Sequence, residues 1–444
     1  MRRRSLLGLG GAVVPAALLG RRWPGRREPR WIHSWTAMPQ LTEPGNMPPA
    51  PFTGAGVVFA DTTLRQTVHL TAGGPKLRVR FSNAFGSAPL PITAAAVAGP
   101  AGGRAGVATI EPGSTRRLTF GGRPGVVIPP GAQVVSDPVD FPPRSGGGGA
   151  SASSSAGGTS VSTSAGLGSG ASVSASGSVG TNLSISVYSA AGQASLNLTS
   201  HPGSRTTSYL VAGNKSDSTD LVGAVGVDHW YLISGVEVLS TAAALAIVGD
   251  SLTDGRGSTT NGNDRWPDRL FARHPKIAVL NQAAGGNRVL NDGLGPNVLA
   301  RLDRDVLATS GVDRMLLFEG VNDIGTAPAT PAAQAQVVDD LLFAFRQIVL
   351  RAHALDIPAY GATITPFGGN TGYDDPDGLR EQSRRTINAT LPKIFDGTAP
   401  FDAAVRDPAN PRNLNPLYDT GDHLHMNPAG YAALAAAVPT RWLS

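Results

Sequence analysis

Residues 246–254 read Ala246-Ile-Val-Gly-Asp-Ser251-Leu-Thr-Asp254, an apolar run followed by a polar turn. An apolar run ending in Gly-Asp-Ser is typical of a buried strand that displays a serine hydroxyl at its carboxyl end. This run begins near residue 244, and two similar runs, at 277–280 and 315–318, are each followed by a polar loop. Helical stretches lie between the runs. Such alternation predicts right-handed βαβ units and a parallel sheet.

The loops after the three runs carry the chemistry. They hold Ser251, then Asn281-Gln-Ala-Ala-Gly-Gly286, then Gly320-Val-Asn322-Asp323. In a flavodoxin-like strand order the first strand lies between the second and the third, so their loops meet at a switch point. A later fragment, Asp422-His-Leu-His425-Met-Asn427, precedes a predicted helix over residues 428–438. We expect the four fragments to converge on one site.

The residue types in these fragments suit acyl transfer. A serine hydroxyl is a weak nucleophile at neutral pH, so it needs a base within hydrogen-bond reach and a third group that fixes the imidazole tautomer. His425 and Asp422, three residues apart, are the candidates for base and orienting acid. The developing oxyanion also needs preorganised donors, each worth roughly 3 to 4 kcal/mol of barrier in comparable sites.

In order and spacing, the four fragments resemble the four blocks of the SGNH hydrolases, also called GDSL esterases and lipases. The resemblance implies a three-layer α/β/α domain in which Ser251 is the nucleophile, with no cofactor. It also implies that the backbone N–H of Ser251, the N–H of Gly286 and the amide of Asn322 hold the oxyanion. Two stretches before residue 240, Trp31-Ile-His-Ser-Trp35 and Leu77-Arg-Val-Arg-Phe-Ser-Asn83-Ala-Phe-Gly86, are similar to the amino-terminal module of secreted GDSL hydrolases.

Each fragment also has a simpler interpretation. Gly-Asp-Ser alone is a common turn or helix cap, and Asp422, His423 and His425 together form a metal half-site. No His-Glu-x-x-His helix or cysteine set completes that metal site in the sequence. An α/β-hydrolase would require Gly-x-Ser-x-Gly and a wide Asp-to-His separation, and neither is present. No P-loop or dinucleotide fingerprint follows a strand either, so we propose neither cofactor nor metal.

Four neighbouring residues invite a catalytic role. Asp250 adjoins the serine and is assigned to loop structure, because it cannot easily reach the far side of an imidazole. His423 stands one residue out of the motif register, and we expect its side chain to be solvated and to have no catalytic role. Arg288 and Glu319 flank motif loops, and the sequence leaves open whether they line the pocket or are structural.

Residues 31–240 have a different texture, with short runs of alternating polarity separated by Gly, Pro and Asn. This pattern predicts an antiparallel β-sandwich of the jelly-roll kind ahead of a catalytic domain at 241–444. Its role is open between carbohydrate binding, shaping of the active-site rim and a structural flank. Residues 145–180 contain only Ser, Gly, Ala, Thr, Val and Leu. They are interpreted as a flexible insert, because they bury too little apolar area to offset their ordering entropy.

The amino terminus predicts export. Residues 1–30 begin with Met-Arg-Arg-Arg-Ser-Leu-Leu and continue with an uncharged apolar stretch too short to span a bilayer, as in a signal of the twin-arginine type. An uncleaved signal anchor is the alternative. These residues hold eight Arg and one Glu, so the formal net charge of +5 becomes about −2 without them. No basic cluster with interleaved aromatics remains, so nucleic-acid binding is not expected.

The 444-residue chain, 41% hydrophobic and free of cysteine, is long enough for two cores stabilised by packing alone. We therefore expect a secreted or cell-envelope serine ester hydrolase that acts on a small-molecule or polysaccharide ester, without stable membrane association after signal removal. A lipase or thioesterase of the same fold, a non-catalytic carbohydrate-binding protein on a hydrolase fold and a membrane-anchored structural protein are the alternatives. Acyl length, alcohol carrier and oligomeric state stay open.

Overall fold

The structure is a computed structural model that describes residues 28–140 and 180–443. The proposed signal segment and the Ser/Gly insert lie almost entirely outside these residues. In the part that is described, none of the helices combines the length and apolar character needed to cross a membrane.

Antiparallel strands make up the amino-terminal module, as expected from its alternating runs. They are β1 Arg30–Thr36, β2 Gln40–Leu41, β3 Thr62–Leu70, β4 Lys76–Ser82, β5 Leu90–Ile92, β6 Ala94–Ala98, β7 Arg116–Arg117, β8 Val126–Ile128, β9 Gln133–Val135, β10 Val139–Asp140, β11 Thr181–Ser189, β12 Thr199–His201, β13 Ser208–Ala212, β14 Val225–Val227, β15 Trp230–Tyr231 and β16 Ile233–Ser240.

Two of the sheets form the sandwich. One has the order β1-β16-β4-β10, with β9 also paired to β4, and the other has the order β14-β13-β3-β11-β6-β7. Their facing side chains, such as Val68 and Ile185 from one sheet and Val79 and Val236 from the other, belong to a single buried cluster. The β-sandwich prediction is therefore confirmed.

Parallel strands follow after Ser240. They are β17 Ala243–Gly249, β18 Ile277–Asn281, β19 Val312–Phe318, β20 Ala359–Ala362 and β21 Gly397–Ala399, in the order β18-β17-β19-β20-β21. This is the predicted flavodoxin-like order, with the first strand between the second and the third. The middle of β17 is fully buried, as a strand covered on both faces requires.

Helices connect these strands. They are α1 Ser251–Asp254, α2 Trp266–Arg273, α3 Val298–Leu302, α4 Val321–Thr326, α5 Pro331–His353, α6 Leu379–Thr390, α7 Phe401–Val405 and α8 Pro428–Ala437. Together with the sheet they enclose a second buried cluster, which includes Trp266, Phe318, Phe345 and Phe401. The α/β fold class is confirmed.

The sandwich packs against the outer edge of the parallel sheet, where β18 has a free side. The Thr71 hydroxyl contacts both the N–H and the C=O of Val279, each at 3.1 Å, and Thr36 donates to the Asn281 C=O at 3.1 Å. Ala278 and Leu280 of β18 contribute to the sandwich core. The module thus covers an edge strand whose backbone groups would otherwise lack partners.

Candidate active site

Ser251 stands at the first position of α1, directly after β17. Asp250 caps this short helix by accepting from the Leu252 N–H at 2.8 Å, and Gly255, with φ of 97°, ends it. Ser251 is 9% exposed. The sequence therefore places one hydroxyl at the carboxyl edge of the sheet, at the start of a helix.

Ser251, His425 and Asp422 form a continuous hydrogen-bonded chain. The Ser251 Oγ lies 2.8 Å from His425 Nε2, and His425 Nδ1 lies 2.6 Å from Asp422 Oδ2. A carboxylate only accepts, so Nδ1 carries the proton and Nε2 is left to accept from the serine hydroxyl. This is the geometry that a general base needs before it activates a nucleophile.

Opposing influences set the protonation of this pair. Burial lowers the pKa of His425 below its ordinary 6.5, and the Arg256 and Arg205 guanidinium groups lower it further, against the effect of Asp422. Burial would raise the pKa of Asp422, but the His425 backbone N–H and ring, with the Leu424 N–H, outweigh it and lower that pKa to about 2. At neutral pH the imidazole is neutral and the carboxylate is charged.

Gly286 lies in the loop after β18 with φ of 72°, a conformation that favours glycine. The preceding loop is tied to α1: Asn281 Nδ2 donates to the Thr253 C=O at 3.1 Å, and the Gly285 N–H donates to Asp254 Oδ2 at 2.9 Å. Within the described residues the Gly286 N–H donates to no protein group. That donor is free for a ligand.

Asn322 lies in the first turn of α4, after Gly320, whose φ is 117°. Tyr373 donates its hydroxyl proton to Asn322 Oδ1 at 2.5 Å, and Asn322 Nδ2 donates to the Asn287 C=O at 2.8 Å. The amide is thereby fixed with its oxygen toward Tyr373 and its nitrogen toward the β18 loop.

Several supporting residues were missed from the sequence. Arg301, 1% exposed, donates to Asn287 Oδ1 at 3.0 and 2.9 Å and to the Gln282 C=O at 2.7 Å. Asp323 accepts from the N–H groups of Val289 and Leu290 at 2.9 and 3.0 Å. Asp323 is the last residue of the Gly-Val-Asn-Asp fragment, so its position was a usable signal, whereas Arg301 is one arginine among many.

The four residues left aside or open are now placed. Asp250 caps α1, in agreement with a role in loop structure. His423 is exposed and its Nδ1 lies 2.7 Å from Asp419 Oδ2. Glu319 is fully buried, and its Oε1 lies 3.9 Å from Arg301 Nη2. Burial raises the pKa of Glu319 well above its ordinary value. Arg288 is partly exposed and donates to the Asp292 C=O. Across residues 28–140 and 180–443, no group of three or more acidic or His side chains could hold a metal ion.

Comparison with known proteins agrees with this fold. Residues 247–433 match the model of the GDSL-like Lipase/Acylhydrolase family, and the domain that they form belongs to this family. No curated protein matches the chain significantly.

Solved structures are similar to just under half of this chain. A catalytic mutant of an acetylxylan esterase from Geobacillus stearothermophilus shares 21% identity with a TM-score of 0.35, over 46% of this chain and 94% of that chain. A GDSL-like lipase from Bacteroides thetaiotaomicron shares 16% identity with a TM-score of 0.33, over 45% of this chain and 87% of that chain. Likeness at this level does not extend to substrate.

Proposed function

We propose that this chain is an exported serine ester hydrolase that cleaves carboxylic esters through an acyl-enzyme. The observation that carries the proposal is the hydrogen-bonded chain from the Ser251 Oγ through His425 to Asp422, together with a Gly286 N–H that donates to no group among the described residues. Neither feature has an evident purpose in folding alone.

In the first half-reaction the Ser251 oxygen attacks the ester carbonyl carbon while His425 Nε2 takes its proton. The carbonyl oxygen gains a negative charge, which the N–H groups of Ser251 and Gly286 and the Asn322 amide stabilise. Collapse of the adduct breaks the ester C–O bond, and His425 gives its proton to the departing alcohol.

In the second half-reaction a water molecule replaces the alcohol. His425 takes a proton from that water as it attacks the acyl-serine, and then returns the proton to Ser251 as the carboxylic acid leaves. Asp422 stays ionised throughout and stabilises the imidazolium that forms in each step. Its low pKa of about 2 suits that role.

The surroundings of His425 favour a polar alcohol carrier. His425 protonates the leaving alcohol, and Arg256 and Arg205 lie close enough to this imidazole to lower its pKa. A lipid alcohol would require an apolar lining on that side. We therefore propose O-acyl groups on a carbohydrate as the substrates, and short acyl groups on grounds of the sequence alone.

The test is a panel of p-nitrophenyl esters from acetate to palmitate, together with acetylated xylan and pectin. We expect turnover to fall as the acyl chain lengthens and acetate release from at least one polysaccharide. A preference for palmitate would favour a lipase instead, and no turnover of any ester by protein that contains Ser251 would contradict the proposed activity. Mass spectrometry of the amino terminus of protein collected outside the cell tests the proposed export.

A further inference from the structure

Besides the threonine contacts to β18, the β-sandwich module contacts the catalytic domain through a buried histidine, His201, at the end of β12. Its Nε2 lies 2.9 Å from Asp254 Oδ1, at the end of α1, and both residues are nearly inaccessible, at 3% and 1% exposed. Asp254 follows the nucleophile by three residues. A side chain from the module therefore contacts the helix that displays Ser251.

Asp254 also contacts the loop that carries the Gly286 N–H. Its second oxygen, Oδ2, accepts from the Gly285 N–H at 2.9 Å. Gly285 and Gly286 are adjacent, so the direction of one peptide group constrains the next. One carboxylate thus joins the module to the peptide unit that precedes the proposed oxyanion donor.

The two ring nitrogens of His201 have different hydrogen-bond partners. Its Nδ1 lies 3.0 Å from the Met38 C=O, which can only accept, so Nδ1 carries a proton. Its Nε2 faces a carboxylate, so one more proton must lie between Nε2 and Asp254 Oδ1. The imidazole stacks on Trp230, with ring centroids 5.7 Å apart at 27°. The ring is therefore held by two hydrogen bonds and by one aromatic face.

Gly203, just after β12, allows the module backbone to lie close to the Asp254 carboxylate. A Cβ on Gly203 would lie 1.7 Å from Asp254 Oδ2, a distance that no side chain could adopt. Only glycine lets the module backbone come this close to the carboxylate.

We propose that His201 is a positioning residue that the β-sandwich supplies to the catalytic domain: it orients Asp254, which holds the Gly285 N–H. The Ala284–Gly285 peptide, fixed in this way, directs the next peptide so that the Gly286 N–H faces the developing oxyanion. This inference rests on the proposed esterase function. It gives the module a catalytic role without any contact with substrate. Because the donor acts chiefly in the transition state, the effect belongs in kcat rather than in KM.

Three variants and one matched control test this role with p-nitrophenyl acetate. His201→Phe keeps the ring and its stacking but removes both hydrogen bonds, and Asp254→Ala removes the carboxylate. Each should lower kcat by about tenfold or more with KM nearly unchanged, as expected when a catalytic group is displaced by a fraction of an ångström or more. The control is His229→Phe in the same module, where the imidazole Nδ1 lies 2.8 Å from the Pro202 C=O and the ring packs edge-on against Tyr231. It should leave kcat near that of the wild type.

Asp254→Asn is the conservative variant. Its amide oxygen still accepts from the Gly285 N–H, and its NH₂ donates to a neutral His201 Nε2. We expect kcat within a few-fold of the wild type, which a simple requirement for charge would not allow. This variant and Asp254→Ala decide the question if His201→Phe fails to fold.

The rate of Ser251 modification by a fluorophosphonate, read by intact mass, separates the two proposals. If the wild type neither hydrolyses p-nitrophenyl acetate nor labels at Ser251, the esterase function itself fails. If the wild type does both, the positioning role predicts slower labelling of His201→Phe and Asp254→Ala. Folded His201→Phe with unchanged kcat, a loss confined to KM, or Asp254→Asn as damaged as Asp254→Ala would each overturn it.

Discussion

At the scale of single residues, His425 shows how burial decides whether an imidazole can act as a base. Its ring contacts a hydroxyl on one side and a carboxylate on the other, yet burial and two nearby guanidinium groups lower its pKa below 6.5. The neutral form that accepts the serine proton is therefore present throughout the physiological range.

We expect kcat/KM to be flat near neutral pH and to fall on the acid side as His425 becomes protonated, with a midpoint below 6.5. His425→Ala should cost about a thousandfold or more. His423→Ala removes an exposed imidazole from the same loop and should cost far less, and EDTA should have no effect. Equal damage from both substitutions, combined with loss of activity in EDTA, would show that the loop binds a metal.

Ionisation of the buried Asp250 carboxyl group should affect the stability of the folded protein. Burial, together with the Asp323 and Asp254 carboxylates, raises its pKa from 3.8 to about 7, although it accepts a hydrogen bond from Leu252. Between about pH 4 and 7 the folded protein therefore binds more protons at this residue than the unfolded chain, so this group lowers stability as pH rises through that window.

Asp250→Asn keeps the acceptor for the Leu252 N–H and removes the charge. We expect its melting temperature to exceed that of the wild type at pH 8 and to match it at pH 4, since a shift of this size corresponds to about 4 kcal/mol. The measurement is calorimetry of both proteins at the two pH values. A variant that is less stable at pH 8 would show that the ionised carboxylate is stabilising.

At the scale of elements, the loop after β18 contains two adjacent glycines that differ in what they require. Gly286 has φ of 72°, and a Cβ there would lie 2.4 Å from Leu294 Cδ1. Gly285 has no such conformation, and a Cβ there would lie 3.8 Å from Asp254 Oδ2, an ordinary contact.

Gly286→Ala should therefore strain the loop, by about 1 to 2 kcal/mol, and displace the N–H donor. We expect kcat to fall at least about tenfold, by comparison with the loss of an oxyanion donor, whereas Gly285→Ala, the matched control, should stay near the wild type. Steady-state kinetics of the two variants is the measurement. Similar losses in both would indicate that the loop tolerates no side chain at all, and would remove the specific role of Gly286.

The elements also show what the sequence can predict. The first three parallel strands and α8 were recognised within a few residues, because long apolar runs and an Asn-Pro start are local signals. β20 and β21 were not recognised: they are four and three residues long, and their sequences, Ala-Tyr-Gly-Ala and Gly-Thr-Ala, contain no long apolar run. Short strands without β-branched runs adopt the extended conformation because they pair with neighbouring strands in the sheet.

The site residues also differ in whether a local sequence pattern identifies them. Ser251, Asp422 and His425 stand in motifs with fixed spacing, so the sequence was sufficient to nominate them. His201 and Arg301 are not in any motif. Their contacts join residues that docking of the module and folding of the β18 loop bring together, over a separation of 53 positions for His201 and Asp254. No local pattern encodes such a pair.

In the whole molecule, the two domains share an interface that includes the edge strand β18 and the helix α1. The Val279 N–H of β18 donates to the Thr71 hydroxyl, and the Asn281 C=O accepts from the Thr36 hydroxyl. Because Asn281 also begins the Gly286 loop, the interface and the proposed oxyanion site lie on the same segment. Separating the domains should therefore impair catalysis as well as stability.

Deletion of residues 146–179, which lie outside the described part, should leave activity and melting temperature nearly unchanged. The flanking strands are held independently: β10 pairs with β4, and β11 pairs with β3 over nine positions. Shortening a Ser/Gly-rich connection changes loop-closure entropy only slightly. Circular dichroism melting and p-nitrophenyl acetate turnover check this, and a large fall in either would show that the insert contributes to packing.

The proposed mechanism requires that Ser251 becomes acylated during turnover. The most direct measurement is acid quenching of the protein during turnover of p-nitrophenyl acetate, followed by peptide mass spectrometry, with Ser251→Ala as the control. We expect one acetyl group on the peptide that contains Ser251, enriched in Asp422→Asn if deacylation slows, and none at that position in Ser251→Ala. Turnover without acylation of Ser251, or undiminished activity in folded Ser251→Ala, would contradict the mechanism.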